Sequence, residues 1–484
     1  MSGTGDQISS QSPIESREDV RNMATFEKRN LGDVLSIEIL RMIFEYLSRE
    51  AQKTLRLVCQ QLNIIALSFA YQKMHLTQEL LPRRPNPVTS RIVDHIRMNC
   101  REISIGAPLN WYRVIKLLSE CRVIQDLRWF YFPGSLFAFP IAMKDSLQYQ
   151  LPHIRLHLEL SCFATSKTFA PESFPPVNLA SLYFGDCKPN DQTNLNSLLV
   201  SSKQLKFFQL KSDIYFSTEH GNLPAMNMIS LGHWPYIQEE VVEIWDFSRL
   251  RRLELSSIDV GSFLRSVSAA MFPEITSLEL SERKGSSESQ LAITAAELAK
   301  FLANLRPLTD LSLACSYPHK FVEGIEKHEQ SLKHLGLKFC ELANPKPHAV
   351  DLNHLAKILN CVNLEDLIFI LDPPVPRKND EYETLLPLAK LLAGCKNLRE
   401  FMGFCIGSHA EQYWNSHSVK MIDDYIRKNK DGLPILDFTF CVEIPHGDNR
   451  HAGQYWAYQR YNREEQGDGP SLTYPPLTNT NVVA

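Results

Sequence analysis

The chain has 484 residues, 51 Lys+Arg against 55 Asp+Glu, a formal charge of −4, and 44% hydrophobic and 22% charged residues. These fractions are globular and exclude wholesale disorder or a collagen-like chain. The charge balance argues against general binding to nucleic acid or to anionic membranes, which depends on clustered positive charge.

In chain order, residues 1–30 are polar and Ser-rich. They offer too little apolar surface to offset ordering entropy, which predicts a disordered leader with no secretory h-region. A helical domain is expected over 31–76. Leu35, Ile39, Ile43 and Leu47 form one stripe at helical spacing, and Leu55, Val58, Leu62, Ile65 and Phe69 a second. Leu40, Phe44 and Tyr46 lie off the first stripe. A helix burying one face in its own small core has no use for them, so the excess predicts a docking partner. A linker is expected over 77–98.

From 99 to 440 the phrase Leu-x-x-Leu-x-Leu recurs. Leu250-Leu253-Leu255, Ile275-Leu278-Leu280, Leu308-Leu311-Leu313 and Leu332-Leu335-Leu337 are the clearest copies, and degenerate ones start at Leu151, Leu398 and Leu433. From Leu179 to Leu332 the starts are 26, 21, 24, 25, 33 and 24 residues apart. A leucine-rich repeat has a period of ~20–29, so one interval is long, and an insertion at 282–290 is expected to account for it. Amphipathic segments fill the intervals, among them Trp111–Ser119, Ala295–Leu305 and Val419–Ile426. The expected fold is therefore α/β: an N-terminal helical bundle, then a solenoid with parallel strands on the concave side and helices outside. Residues 441–484 form a polar tail whose aromatic cluster, Tyr455, Trp456, Tyr458 and Tyr461, is expected to pack on the last element.

The eleven cysteines include no Cys-x-x-Cys pair, which favours reduced thiols in an intracellular protein. Cys187, Cys340 and Cys441 fall eight residues after the first leucine of their copies, and Cys121, Cys361 and Cys395 three residues before it. Small buried side chains at fixed points of a repeat account for this better than metal ligation.

The stretch LSIEILRMIFEYLSREAQKTLRLVCQQLNIIA from Leu35 resembles the F-box motif. Leu35, Glu38, Ile39, Leu40, Ile43, Phe44, Tyr46, Leu47, Ser48, Leu55, Leu57, Val58, Cys59, Asn63 and Ala66 match it, while Ser36 stands where the family has Pro. Serine is itself a good helix N-cap. The cysteine-flanked repeats are similar to those that often follow an F-box, so the whole resembles an F-box/leucine-rich-repeat protein of a divergent fungal kind. The resemblance implies a substrate-recognition adaptor of a Skp-cullin-F-box ubiquitin ligase, in cytoplasm or nucleus. It places Leu35, Ser36, Ile39, Leu40, Ile43, Val58, Cys59 and Leu62 at the Skp-type adaptor and a protein substrate on the repeats. Two alternatives stay open: an F-box protein that binds the Skp adaptor without a cullin, and a non-catalytic repeat scaffold.

No phosphate-binding, nucleophile-elbow or zinc-protease motif occurs, so neither enzyme nor cofactor nor metal is expected. Glu239-Glu240 and Asp423-Asp424 are neighbours that do not face each other on a helix, and they are expected to be solvated charges. No run reaches the ~18 apolar residues of a membrane span. Strand alternation turns the third, fifth and seventh residues of each phrase outward. Substrate-facing candidates on the concave wall are Arg252, Glu254, Asp310, His334, Lys338, Ile368, Ile370, Met402 and Phe404. The last two pairs of apolar residues are expected to lie together.

Overall fold

Serine opens each of the first two helices. The Ser36 hydroxyl accepts from the Ile39 N–H at 3.4 Å to start α1 (Ile37–Tyr46), and Ser48 accepts from Ala51 at 3.2 Å to start α2 (Arg49–Leu55). Each satisfies a donor that the first helical turn leaves without a partner. The Gln52 side chain donates to the carbonyls of Phe44 at 2.7 Å and Leu47 at 3.2 Å, tying α2 to the end of α1. The second stripe runs across a turn at 56–59 into α3 (Gln60–Ala70), so it is not one helix.

The computed structural model describes residues 35–131, 139–160, 174–185, 192–283, 288–338, 351–371, 381–405, 416–444 and 455–462, apart from 83, 85, 108, 212–214, 218 and 220. The expected leader and most of the expected tail lie outside them. The chain forms two units, one running to Ser104 and including Tyr112–Gln125, the other made of Ile105–Trp111 and everything from Asp126.

In the first unit, α1–α3 are followed by β1 (Lys73–Leu76), α4 (Pro87–Asn99), β2 (Glu102–Ile105) and α5 (Trp111–Glu120). The expected linker at 77–98 is corrected here. Asn86 and Thr89 form a reciprocal capping box and Pro87 takes the first helical position, so α4 starts firmly where a connector was anticipated.

In the second unit β3 (Asp126–Tyr131), β4 (Arg155–Leu160), β5 (Leu179–Phe184), β6 (Phe207–Leu210), β7 (Met228–Leu231), β8 (Arg252–Ile258), β9 (Ser277–Glu282), β10 (Asp310–Ala314), β11 (His334–Lys338), β12 (Asp366–Leu371), β13 (Glu400–Cys405) and β14 (Asp437–Ile444) pair in sequence order, all parallel. β15 (Tyr455–Asn462) then pairs antiparallel with β14. The aromatic arm therefore adds to the last repeat as an edge strand. Return connections include α6 (Ile141–Asp145), α7 (Gln192–Ser201), α8 (Gln238–Ile244), α9 (Val260–Ser266), α10 (Glu288–Asn304), α11 (Val322–Glu326), α12 (Leu352–Ile358), α13 (Glu381–Gly394) and α14 (Ser416–Asn429). The long interval before Leu308 holds the 17-residue α10, which begins inside the expected insertion. Where α8 and α9 are short, Phe216, Trp234, Tyr236, Trp245 and Phe263 fill the wall behind the strands, nearly all in edge-to-face or stacked contact.

The leucine phrase forms the core: Leu250, Leu253 and Leu255 are fully buried, and the same three positions are buried from Ile275 through Leu364. The degenerate copy at Leu433 is corrected by two residues. Phe438, not Leu436, pairs with Phe401, and Ile435 is buried while Leu433 and Leu436 are exposed. Cys441 thereby loses its fixed place in the repeat. A two-residue slip keeps the facing of a strand, so Asp437 is outward in either register.

Polar side chains just before the phrase tie several repeats to the one before. Asn178 donates to the Ile154 carbonyl, Asn363 to Gln330 and Asn397 to Val362, each at 2.8 Å, and the Ser331 hydroxyl donates to Leu308 at 2.7 Å. His328 is fully buried; its Nδ1 accepts from the Leu308 N–H and its Nε2 donates to the Leu302 carbonyl, both at 3.1 Å. Cys100, Cys121, Cys361 and Cys395 are buried free thiols. Burial pushes Cys361 up to about 12, with Glu329 nearby adding to it, and burial likewise raises Cys121 and Cys395 to about 11. Cys187 and Cys340 lie outside the described residues. Asp423 corrects the expectation of a solvated charge: it is buried and paired with Arg427 at 2.7 Å.

Candidate functional site

Two surfaces, one in each unit, carry side chains that their own folds do not use. In the helical bundle, Leu40 and Phe44 are buried with Leu62, Ile65 and Ala66, and Phe44 stacks on Phe69 with ring centroids 5.8 Å apart. The stripe reading is thereby inverted. Ile39 and Ile43 on the stripe are 41% and 42% exposed, while Leu40 and Phe44 off it turn inward and Tyr46, also off it, stays exposed. The reason is geometric: α1 meets α3 along the edge that carries Leu40 and Phe44. Leu40 and Leu62, expected at the adaptor, are therefore core residues. Leu35 and Cys59 are half-buried against that core, Ser36 is exposed at the cap, and Ile39, Ile43 and Val58 are exposed.

The expected adaptor set omitted Ile37, Met42, Leu57 and Ile64, all exposed as well, and Tyr46 at 90% is the most open of these side chains. The signal for Leu57 was available: an apolar pair, Leu57-Val58, sits in the turn between two helices, where a polar residue would be usual. Large apolar side chains are thus concentrated on the outside of a three-helix bundle whose own core holds Leu40, Phe44, Leu62, Ile65 and Ala66. A family model of the F-box domain matches residues 33–71, the segment that carries this surface. Residues 33–71 are an F-box domain. No curated protein matches the chain. Among solved structures, a TLR13–ssRNA13 complex is similar at 16% identity and a TM-score of 0.30, over 70% of this chain and 52% of that one. This chain spans about half the length of that protein. Downstream of the F-box, the leucine-rich-repeat solenoid stands on its own strand register.

The second surface is the open face of the solenoid strands. Their parallel register aligns the third positions into one row, Arg252, Ser277, Asp310, His334, Asp366, Glu400 and Asp437. The fifth positions make a second row, Glu254, Glu279, Ser312, Gly336, Ile368, Met402 and Thr439. A hollow of about 300 Å³ opens over β8–β14, lined by Arg252, Asp310, His334, Lys338, Ile368 and Met402 from the expected set. Glu254 stands on the same wall outside it, bonded to Arg252 at 2.6 Å. Ile370 and Phe404 pair by backbone beside Ile368 and Met402, and their side chains lie outside the described residues. Asp366 and Glu400, which alternation also turns outward, line the hollow, and so does Asp437.

Ion pairs organise its edges. Lys338 Nζ lies 3.7 Å from Glu279, and the His334 ring bridges two neighbours, Nδ1 to Asp366 and Nε2 to Asp310 at 3.8 Å. At the other end of the wall, Asp126 meets Arg155 at 2.7 Å and His157 at 2.8 Å. Burial works to raise the Asp126 carboxyl, but these two hydrogen bonds outweigh it and hold the group below the usual carboxylate range. Among the described residues no group of three or more His, Cys, Asp or Glu is placed to hold a metal ion. No helix among them is long and apolar enough to cross a membrane.

Proposed function

We propose that the chain is the substrate-recognition subunit of a Skp-cullin-F-box ubiquitin ligase of the cytoplasm or nucleus. In this reading it performs no catalytic step of its own. The F-box docks a Skp-type adaptor, through it a cullin, and the solenoid holds a protein substrate. One observation carries the reading: the F-box completes its core with Leu40, Phe44, Leu62, Ile65 and Ala66 and still presents Ile39, Ile43, Tyr46, Leu57 and Val58 to solvent. A few desolvated apolar anchors supply most of the affinity in interfaces of this kind. Ser36 in place of the family's Pro retains the helix start, since its hydroxyl caps α1.

The test is co-purification of the full chain with adaptor and cullin. Ile39→Ala with Ile43→Ala is expected to abolish adaptor capture at unchanged thermal stability, because neither side chain belongs to the core. Capture of the adaptor without a cullin would replace the ligase by an adaptor-only assembly. Unchanged capture in the double variant would remove the F-box face from the interface.

A further inference from the structure

We infer that the hollow on the solenoid's open face takes a substrate segment in which basic side chains alternate with apolar ones. This rests on the reading that the repeats hold a protein substrate, and it names the chemistry of that segment.

The charges in the hollow are unevenly matched. Lys338 is already committed to Glu279 and Arg252 to Glu254. Asp366, Glu400 and Asp437 sit side by side on three adjacent strands, which run ~4.8 Å apart. Like charges placed directly opposite across strands destabilise a sheet. Asp366 shares the His334 ring with Asp310 and Asp437 accepts from the Thr439 hydroxyl at 3.0 Å, while Glu400 has no cationic partner among the described residues. A row of carboxylates kept together in this way is complementary to cations supplied from outside the chain.

The neighbouring row supplies the second half of the recognition. Gly336 leaves a notch between Ser312 and Ile368, and a Cβ built there would approach the Ser312 hydroxyl to 3.3 Å. Beside the notch, Ile368 and Met402 pair across β12 and β13 and line the hollow half-exposed. Acidic and apolar rows thus run in parallel, offset by two residues along each strand. An extended segment alternating Lys or Arg with Leu-type residues places one set of side chains on each row. A nucleic acid or an acidic peptide would bring phosphates or carboxylates against the carboxylate row.

The test uses the full chain and three fluorescein-labelled synthetic peptides of a dozen residues, alternating Lys-Leu, Glu-Leu and Lys-Ser, read by anisotropy at low salt. The Lys-Leu peptide is expected to bind saturably, about tenfold or more tighter than either other. Asp366→Asn with Glu400→Gln lowers its affinity by about tenfold or more. Ile368→Ser with Met402→Ser brings Lys-Leu down to the level of Lys-Ser, and Gly336→Phe fills the notch and blocks both. If a variant unfolds, a salt titration of the wild type replaces it: affinity falling steeply with salt supports the carboxylate row, and a flat response overturns it. Absence of saturable Lys-Leu binding, equal binding of Glu-Leu, or unchanged affinity in the double carboxylate variant overturns the inference. Adaptor capture is scored on the same samples. Peptide failure with capture intact counts against the hollow alone, and loss of wild-type capture counts against the adaptor reading while leaving the peptide result standing.

Discussion

In the F-box, Ile39 is 41% exposed one residue away from Leu40 at 1%; in the solenoid, Ile368 is half-exposed one residue away from Leu367 at 0%. The local contrast is alike, but its legibility is not. A strand has only two faces, and neighbours on both sides fix which one is buried, so one confident copy of the phrase orients every other. A short helix that is apolar on several faces has no such constraint. Its buried edge is decided by where the next helix crosses, which is information held in α3 and absent from α1 itself. Apolar periodicity therefore reports facing reliably in the repeats and only the presence of an excess in the bundle.

The sharpest way to break this comparison is a pair of aromatic deletions two residues apart in sequence. Phe44→Ala empties a fully buried site and is expected to cost about 3–5 kcal/mol in the F-box, seen as loss of its unfolding transition or of adaptor capture. Tyr46→Ala removes a ring that is 90% exposed and is expected to change stability by no more than about 0.5 kcal/mol while weakening adaptor capture. Comparable costs for the two would mean that α1 is rotated from the orientation described.

In the solenoid the corresponding probe is polar. His328→Ala leaves the buried Leu308 N–H and Leu302 carbonyl without their partner and is expected to cost about 1–3 kcal/mol by chemical denaturation. Burial holds the His328 imidazole below its ordinary value, against the raising effect of its bond to the Leu302 carbonyl. The unfolded chain takes up a proton near pH ~6.5 that the folded chain refuses. This contribution to stability is therefore complete above that pH and declines as pH falls below it. His328→Gln keeps a donor and an acceptor without titrating, so it is expected to flatten the decline in the denaturation midpoint between pH 7 and 5.

The smallest effect expected is on labelling. Cys100, Cys121, Cys361 and Cys395, buried and with raised pKa values, are expected to resist iodoacetamide in the native chain. Half-buried Cys59 is expected to label before these four and to be protected once the adaptor is bound. Rapid modification of Cys361 at rates matching Cys59 would contradict its place in the repeat core.

Much of the solenoid was legible because leucines at period two and at a repeat of about two dozen residues reinforce each other. The copy at Leu433 slipped because Leu433 and Leu436 imitate the phrase two residues ahead of Ile435 and Phe438, and only pairing with β13 decides between them. The linker over 77–98 was misjudged because Pro87 and the polar residues around it read as a connector, although Asn86-Pro87-Val88-Thr89 is also a helix start. On the open face, Arg252, Asp310, His334, Lys338, Ile368 and Met402 were accessible from alternation alone. The weight of Asp366, Glu400 and Asp437 was not, because a charge on one strand shows nothing of its neighbours until the register places them in a row. The polar ties of Asn363 and Asn397 were hidden for the same reason: each bonds to a carbonyl more than thirty residues back.

Those ties have a mechanical consequence. Each repeat from β11 to β13 is fastened to its predecessor by strand pairing and by a side chain reaching back over the seam, as Ser331, Asn363 and Asn397 do. Tension applied at the C-terminal end loads one such seam at a time, since a repeat touches mainly its neighbours. The solenoid is thus a ratcheted tape, which peels in releases of one repeat. At ~3.4 Å per extended residue, a repeat of about two to three dozen residues lengthens the tether by roughly 80–120 Å per release. A solenoid built this way holds its N-terminal repeats in register while its far end yields.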